Sequence, residues 1–176
     1  RPSPRALPLR KYCKSSPPNP GSNSQNYRPI LFYNKHEPYY EFTNFSDHSV
    51  RYHGHYYKTS EHLFQSLKFL DVRPDIAMKI RGTSTAREAF SIAQANKPYQ
   101  RPDWLQVNIN MMDIALLHKF QQHRNLKDML LATGDAELIE NSPSDAFWGN
   151  GAHKLGRNEL GKALMRLRGK FQRGEA

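Results

Sequence analysis

Apolar positions recur along this chain with two periods, and they divide it into short strands and amphipathic helices. Ile30 to Tyr33 is a short β-favouring run, and Ser49 to His53 with His55 to Thr59 reads as a hairpin closed at Gly54. Thr59 or Ser60 can cap a helix in which Leu63, Leu67 and Leu70 share one side. Arg73 to Arg81 reads as a helix with Pro74 in its first turn and Gly82 as its stop; Ser84 to Ala95 reads as another, broken by Lys97 and Pro98. Asp103 is placed to cap a long helix reaching about Gln122, with Gln106 completing a capping box and Met111, Ile114, Ala115 and Leu117 turned inward. A short helix over Asn125 to Leu131, a strand over Glu137 to Glu140 and a final helix capped by Asn158 complete the pattern. The last of these carries the stripe Leu160, Leu164, Leu167, Phe171.

Residues 1–28 show no such period. They are rich in Pro, Ser, Asn and Arg and cannot bury enough surface to offset ordering entropy, so a disordered tail is expected, followed by one folded domain over 29–176. The tail also changes the meaning of the formal charge of +10: it holds six cations and no acid, leaving +4 for the rest. A second basic stretch, Lys154 to Arg173, has seven Lys or Arg residues against Glu159 alone. On the final helix Lys162, Arg166, Lys170 and Arg173 line up opposite the apolar stripe, where they can face an anion. Cys13 is the only cysteine, which excludes an intrachain disulfide and fits a reducing, intracellular compartment, cytoplasm or nucleus. The apolar runs fall short of the ~20 residues of a membrane span, so no membrane is expected. His53 and His55 flank Gly54 in a turn rather than a metal pair, and neither metal nor cofactor is expected.

Candidate chemistry concentrates in two stretches. At 100° per residue, Glu61, Gln65 and Lys68 fall within about 60° of one another, opposite the leucines. Such a stripe is either a solvated face or, because Phe64 and Phe69 border it, a partly desolvated acid and amine. Desolvation raises a carboxyl pKa and lowers that of an amine, as a proton carrier and an amine nucleophile each require. The second stretch, Ser142 to Ala152, mixes glycines with Phe147 and Trp148. It is either a tight loop with two anchor rings or a place where backbone N–H groups meet a pyrophosphate and an indole stacks on a base. Asn44, between Phe42 and Phe45, is either a turn residue or a rigidly held polar group.

T-S-E-H-L-F-Q-S-L-K-F (Thr59 to Phe69) resembles the central signature of the NADAR family, the YbiA-like proteins. Five further blocks follow that family's order: E-F-T-N-F-S from Glu41, D-W at Asp103 and Trp104, L-A-T-G-D-A from Leu131, D-A-F-W-G-N-G from Asp145 and G-R-N-E-L-G from Gly156. The resemblance implies a compact α+β domain, a small antiparallel sheet surrounded by helices, in agreement with the periodicity. It implies an N-glycosidase cleaving a ribose C1–N bond: removing ADP-ribose from guanine bases of DNA or, alternatively, acting on phosphoribosylated riboflavin-pathway intermediates.

Carried over by position, Glu61 is the general acid/base, Lys68 the Schiff-base nucleophile and Asp145 the residue that assists proton transfer or holds the ribose. Asn44, Phe45, Arg81, Trp104, Trp148, Gly149 and Asn158 are expected around the ligand. A monomer is expected, meeting ADP-ribosylated DNA through the Lys162/Arg166/Lys170 face and the tail. Two rivals compete with an enzyme. A non-catalytic NAD- or ADP-ribose-binding module would not need Glu61 and Lys68 on one face, and a basic DNA-binding domain would need a helix-turn-helix or zinc-finger pattern that the sequence lacks.

Overall fold

The structure, a computed structural model, describes residues 28–176; apart from Arg28, the predicted tail lies outside the described residues. Strand β1 (Ile30–Phe32) is followed by the hairpin β2 (Val50–Tyr52) and β3 (His55–Tyr57). Then come helices α1 (Ser60–Leu67), α2 (Pro74–Gly82), α3 (Ala86–Ala95), α4 (Trp104–Gln122) and α5 (Arg124–Ala132), strand β4 (Leu138–Glu140) and helix α6 (Glu159–Gln172). The α+β class holds, and the sheet is divided. The hairpin is antiparallel, with Val50 opposite Tyr57, whereas β1 pairs with β4 in parallel, Ile30 opposite Leu138 and Phe32 opposite Glu140. His53 and Gly54 close the hairpin with φ of 46° and 79°, the left-handed pair that a two-residue turn requires. Among the described residues no helix is long and apolar enough to cross a membrane.

Helix α1 begins where expected: the Thr59 hydroxyl accepts the His62 N–H at 3.3 Å. All eight of its residues are buried, because α2, α3, α4 and the hairpin pack around it. The solvated-face alternative for Glu61 and Gln65 is therefore removed. His62 lies fully inside, with one ring nitrogen 2.8 Å from the Thr59 hydroxyl and the other 3.2 Å from the Thr83 carbonyl. A small satellite core of Phe69, Ile76, Ile80, Ala89 and Ala93 joins the α1 end to α2 and α3.

Three local expectations are corrected. Asp103 makes no capping bond; Arg101 takes both its oxygens, at 2.6 and 3.0 Å, and the capping box belongs to Thr85 and Glu88 at the start of α3. The buried side of α4 is Trp104, Asn108, Met112, Ala115, Leu116, Lys119 and Phe120, with Met111, Ile114 and Leu117 only half-buried. That helix touches α1, α5, α6 and β2 on different sides, so its apolar residues spread around it and leave no single stripe to read. Asn158 is left-handed (φ 53°) and does not cap α6 with its side chain. Its amide donates to the Leu138 carbonyl at 2.8 Å and its carbonyl accepts the Glu140 N–H at 3.0 Å, clamping the start of α6 to β4.

Gly161 makes that clamp possible, since a Cβ there would collide with the Leu138 carbonyl and the Asn158 side chain. Gly161→Ala should lower stability by about 1–3 kcal/mol, read as a lower urea midpoint, because the obstacle is backbone. Gly82→Ala, where a Cβ meets nothing within 4 Å, should stay within about 1 kcal/mol of the wild type.

Candidate active site

A cavity of about 570 Å³ opens between the 33–45 segment, one side of α1, the α3 side chains Arg87, Phe90 and Gln94, and the 140–148 segment. Helical spacing puts Glu61, Phe64, Gln65 and Lys68 along its α1 wall. Glu61 is only 6% exposed, and Gln65 donates to it at 2.7 Å. Burial raises its carboxyl pKa, against the Gln65 bond and the charges of Lys68 and Arg87. Lys68 follows the last turn of α1, its amine 5.3 Å from the Trp104 ring and 5.7 Å from that of Phe64. Burial brings it down to about 8, opposed by the Glu61 charge. Among the ion pairs of the described residues none involves Lys68, so its amine is free for a ligand.

Opposite α1, Asn44 is buried: its carbonyl accepts the Ser60 hydroxyl at 2.8 Å and its amide points to Met112 Sδ at 3.1 Å. Phe45 lines the cavity beside it, and the Arg87 guanidinium lies 5.5 Å from its ring and 5.9 Å from that of Phe90. On the third side Trp148 meets Phe64 edge-on at 5.3 Å. Asp145 Oδ1 accepts the N–H groups of Phe147 and Trp148 at 2.9 and 2.8 Å, which shapes that turn. Among the sequence candidates, Asn44, Phe45, Glu61, Lys68, Asp145 and Trp148 are thus brought to one cavity.

The other candidates lie elsewhere. Trp104 stands behind Lys68 and Phe64 rather than on the cavity wall. Arg81 borders a separate recess of about 220 Å³ with Tyr57, Leu70 and Met78, because the packing of Ile76 and Ile80 turns the end of α2 that way. Gly149 is pressed against the Glu140 carbonyl and Ser142, so its missing side chain serves loop packing and not a phosphate. Asn158 is the strand clamp. On α6, Lys162, Arg166 and Lys170 are exposed as expected, though Glu159 lies 3.6 Å from Lys162 and Asp113 pairs with Arg166 at 2.8 Å.

Three site residues escaped the sequence reading. Arg87 and Glu140 carry no periodic signal, being a helix-start cation and a strand-end acid. Lys119 did carry one: a lysine at i+7 from Met112 and i+4 from Ala115 falls on the inner side of α4. Fully buried, its amine donates to the carbonyls of Glu41 and Thr43 at 2.6 and 2.7 Å and lies 2.8 Å from the Ser46 hydroxyl, fixing the segment that presents Asn44 and Phe45. Burial pulls it down to about 7. Both charge states fit: the two carbonyls take two N–H groups in either, while the Ser46 hydroxyl accepts from the ammonium or donates to the neutral amine.

The NADAR domain family model matches residues 31–172. Over 140 residues the chain is 41% identical to an N-glycosidase of Nostoc punctiforme, covering 79% of this chain and 90% of that protein. It is 39% identical over 139 residues to the N-glycosidase YbiA of Escherichia coli, covering 79% and 86%. A riboflavin biosynthesis protein of Vibrio vulnificus is 39% identical over 145 residues, 82% of this chain but 39% of that protein. The NMR structure of the E. coli protein YbiA aligns with a TM-score of 0.77 at 36% identity, over 85% of this chain and 88% of that one.

Lys119→Met should cost about 1–3 kcal/mol, since it keeps the stem but leaves the Glu41 and Thr43 carbonyls with only the longer contacts to the Ser46 hydroxyl, at 3.3 and 3.4 Å. In the wild type the unfolded chain binds the extra proton between about pH 7, the folded value of this lysine, and its unfolded value near 10.5. Stability from this group therefore rises with pH across that window. Urea midpoints of wild type and variant should diverge as pH rises through it; parallel curves would show that the lysine does not titrate there.

Proposed function

The chain belongs to the NADAR family, and from that premise we propose that it is an N-glycosidase hydrolysing the bond between ribose C1 and a base nitrogen. The observation that carries this reading is an acid and an amine on one wall of a nucleotide-sized cavity, both driven by burial toward their neutral forms. A lysine at about 8 is neutral in about a tenth of molecules at pH 7, against about one in three thousand at 10.5.

The chemistry follows from those two states. The neutral Lys68 amine attacks C1, the C1–N bond breaks, and the departing base nitrogen takes its proton from Glu61, whose carboxylate then takes the extra proton of the alkylated lysine nitrogen. The ribosyl-lysine opens to a Schiff base; water adds to its carbon, and the amine leaves with the sugar released as its free aldehyde. The proton surrendered by that water makes good the one O4′ takes up as the ring opens. Trp104 and Phe64 present their ring faces to the amine, and Gln65 orients Glu61.

For the substrate we favour ADP-ribose attached to guanine in DNA. Arg87, which has no carboxylate partner among the described residues, and Lys35 both line the cavity and can take phosphates, while Phe45 and Trp148 offer ring faces to bases. The exposed Lys162 and Lys170 on α6 would approach the polymer backbone. The name of the Vibrio relative favours a second reading, a phosphoribosylated pyrimidine, which needs the same C1 chemistry and a smaller phosphate site. Offering the protein ADP-ribosylated DNA and a phosphoribosylated pyrimidine side by side, and measuring sugar release, decides between them. Release from neither sinks the glycosidase reading.

Borohydride quenching during turnover should leave the sugar on the peptide that contains Lys68, as a stable secondary amine. Lys68→Ala should abolish trapping and turnover, and Lys68→Arg should not restore them, because a guanidinium stays protonated. Substantial activity in Lys68→Arg without any trapped adduct would assign C1 attack to water. Glu61→Gln should fold normally and lose turnover in either case, since an amide cannot relay a proton. The wild-type rate should climb with pH toward about 8 as the Lys68 amine loses its proton.

A further inference from the structure

Glu140, which the mechanism above does not use, faces the same cavity as Glu61 and Asp145. It ends β4, and its backbone is fixed on both sides: its N–H donates to Asn158 Oδ1 at 3.0 Å and its carbonyl accepts the Asn150 N–H at 2.9 Å. Its side-chain Oε2 is buried without any hydrogen-bond partner. A buried carboxyl oxygen left unpaired is costly unless a ligand or a proton completes it.

The three carboxyls of the cavity differ in how far the protein satisfies a negative charge on them. Asp145 Oδ1 accepts two backbone N–H groups, Glu61 Oε1 accepts one side-chain N–H, and Glu140 Oε2 accepts none. Three such groups around one cavity do not all ionise together, and the least supported keeps its proton. Burial, then the charges of Asp145 and Glu61, push Glu140 up to about 8. The cations facing the cavity, Lys68, Arg87 and Lys35, do not reverse this order. A protonated carboxyl has one donor, and among the described residues Oε2 has no hydrogen-bond partner. A ribose is rich in acceptor oxygens.

We propose that Glu140 is a second acid of this site, its carboxyl O–H donating a hydrogen bond to a ribose oxygen of the bound substrate. This rests on the glycosidase reading for its chemical consequence. When the ring opens, the C1–O4′ bond breaks as the lysine nitrogen lone pair forms the C1=N bond, and O4′ must gain a proton. Glu140 supplies it and recovers a proton from the water that hydrolyses the Schiff base. Glu61 protonates the base and Glu140 protonates the sugar.

The test reads binding, separately from turnover. Calorimetric titration with ADP-ribose and with ribose 5-phosphate is run from pH 6.5 to 9.5 on wild type and Glu140→Gln. Wild-type affinity for at least one probe should fall by up to tenfold per pH unit above about 8, as the donor becomes a repelling carboxylate. Glu140→Gln keeps an N–H donor, so its affinity should stay within about threefold of wild type at pH 6.5 and lack that extra fall. Should the variant not fold, the 13C carboxyl signal of wild-type Glu140 serves instead: its titration midpoint should move upward when ADP-ribose binds. Parallel pH curves in the two proteins, a midpoint unmoved by ligand, or no binding of either probe overturns the proposal. Absent sugar release with the Glu140-dependent binding intact would sink the glycosidase reading and leave the hydrogen bond standing.

Discussion

The constraint on which the rest depends is that α1 has no solvent side. An eight-residue helix carrying Glu61, His62, Gln65 and Ser66 would ordinarily turn these residues outward, yet α2, α3, α4 and the hairpin enclose it. Each buried polar group then needs a partner. His62 finds Thr59 and Thr83, Ser66 finds the Ala77 carbonyl at 3.4 Å, and Gln65 finds Glu61. Among the described residues three buried oxygens lack a partner: Gln65 Oε1 and Glu140 Oε2, both of residues that line the cavity, and Asn150 Oδ1, which lies away from it. The two at the cavity mark where a ligand can complete the pairing.

The enclosure requires scaffolding that is itself rigid. Segments more than a hundred residues apart meet in the β1–β4 pair, and Asn158 ties the start of α6 to that pair through two hydrogen bonds. Across the cavity, Lys119 does the same for the Glu41 to Ser46 segment, using one amine where a strand would use a ladder. Neither residue touches the cavity, yet each fixes the backbone beside residues that do: Asn158 next to Glu140, Lys119 behind Asn44 and Phe45. A desolvated site on short loops needs such anchors, because a shift of about an ångström readmits water and restores ordinary pKa values.

Much of this was legible where local rules govern. The hairpin at Gly54, the start of α1 and the adjacency of Glu61, Gln65 and Lys68 follow from turn chemistry and helical spacing. The sense of the polar stripe did not, because periodicity reports which residues share a face and says nothing of what covers it. For the same reason α4 misled: enclosed by four neighbours, it offered no dominant stripe, and Met111, Ile114 and Leu117 were chosen over Met112, Leu116 and Lys119. Asp103 was read as a cap from its residue type and the Gln106 spacing, and Asn158 from its residue type; Arg101, two residues back, took the first side chain and β4, eighteen to twenty back, the second. The parallel β1–β4 pairing joins segments over a hundred residues apart, and Glu140 acquires its environment only through it.

On the proposed function, one cavity has to hold phosphates and still run acid–base chemistry, and the charge arrangement suits both. Burial pushes Glu61 and Glu140 up and Lys68 down, so each is uncharged more often than an exposed group of its type. Negative charge then rests with Asp145, whose Oδ1 is already held by two N–H groups, and positive charge with Arg87 and Lys35. The balance is net positive. An anionic phosphate is attracted without being repelled by the two acids, and neither acid is consumed in an ion pair with the lysine. Were Glu61 and Lys68 an ordinary salt bridge, the cavity would bind phosphate less well and hold neither a proton donor nor a nucleophile. On the proposed function, desolvation of α1, a short helix enclosed by its neighbours, serves binding and reactivity at once.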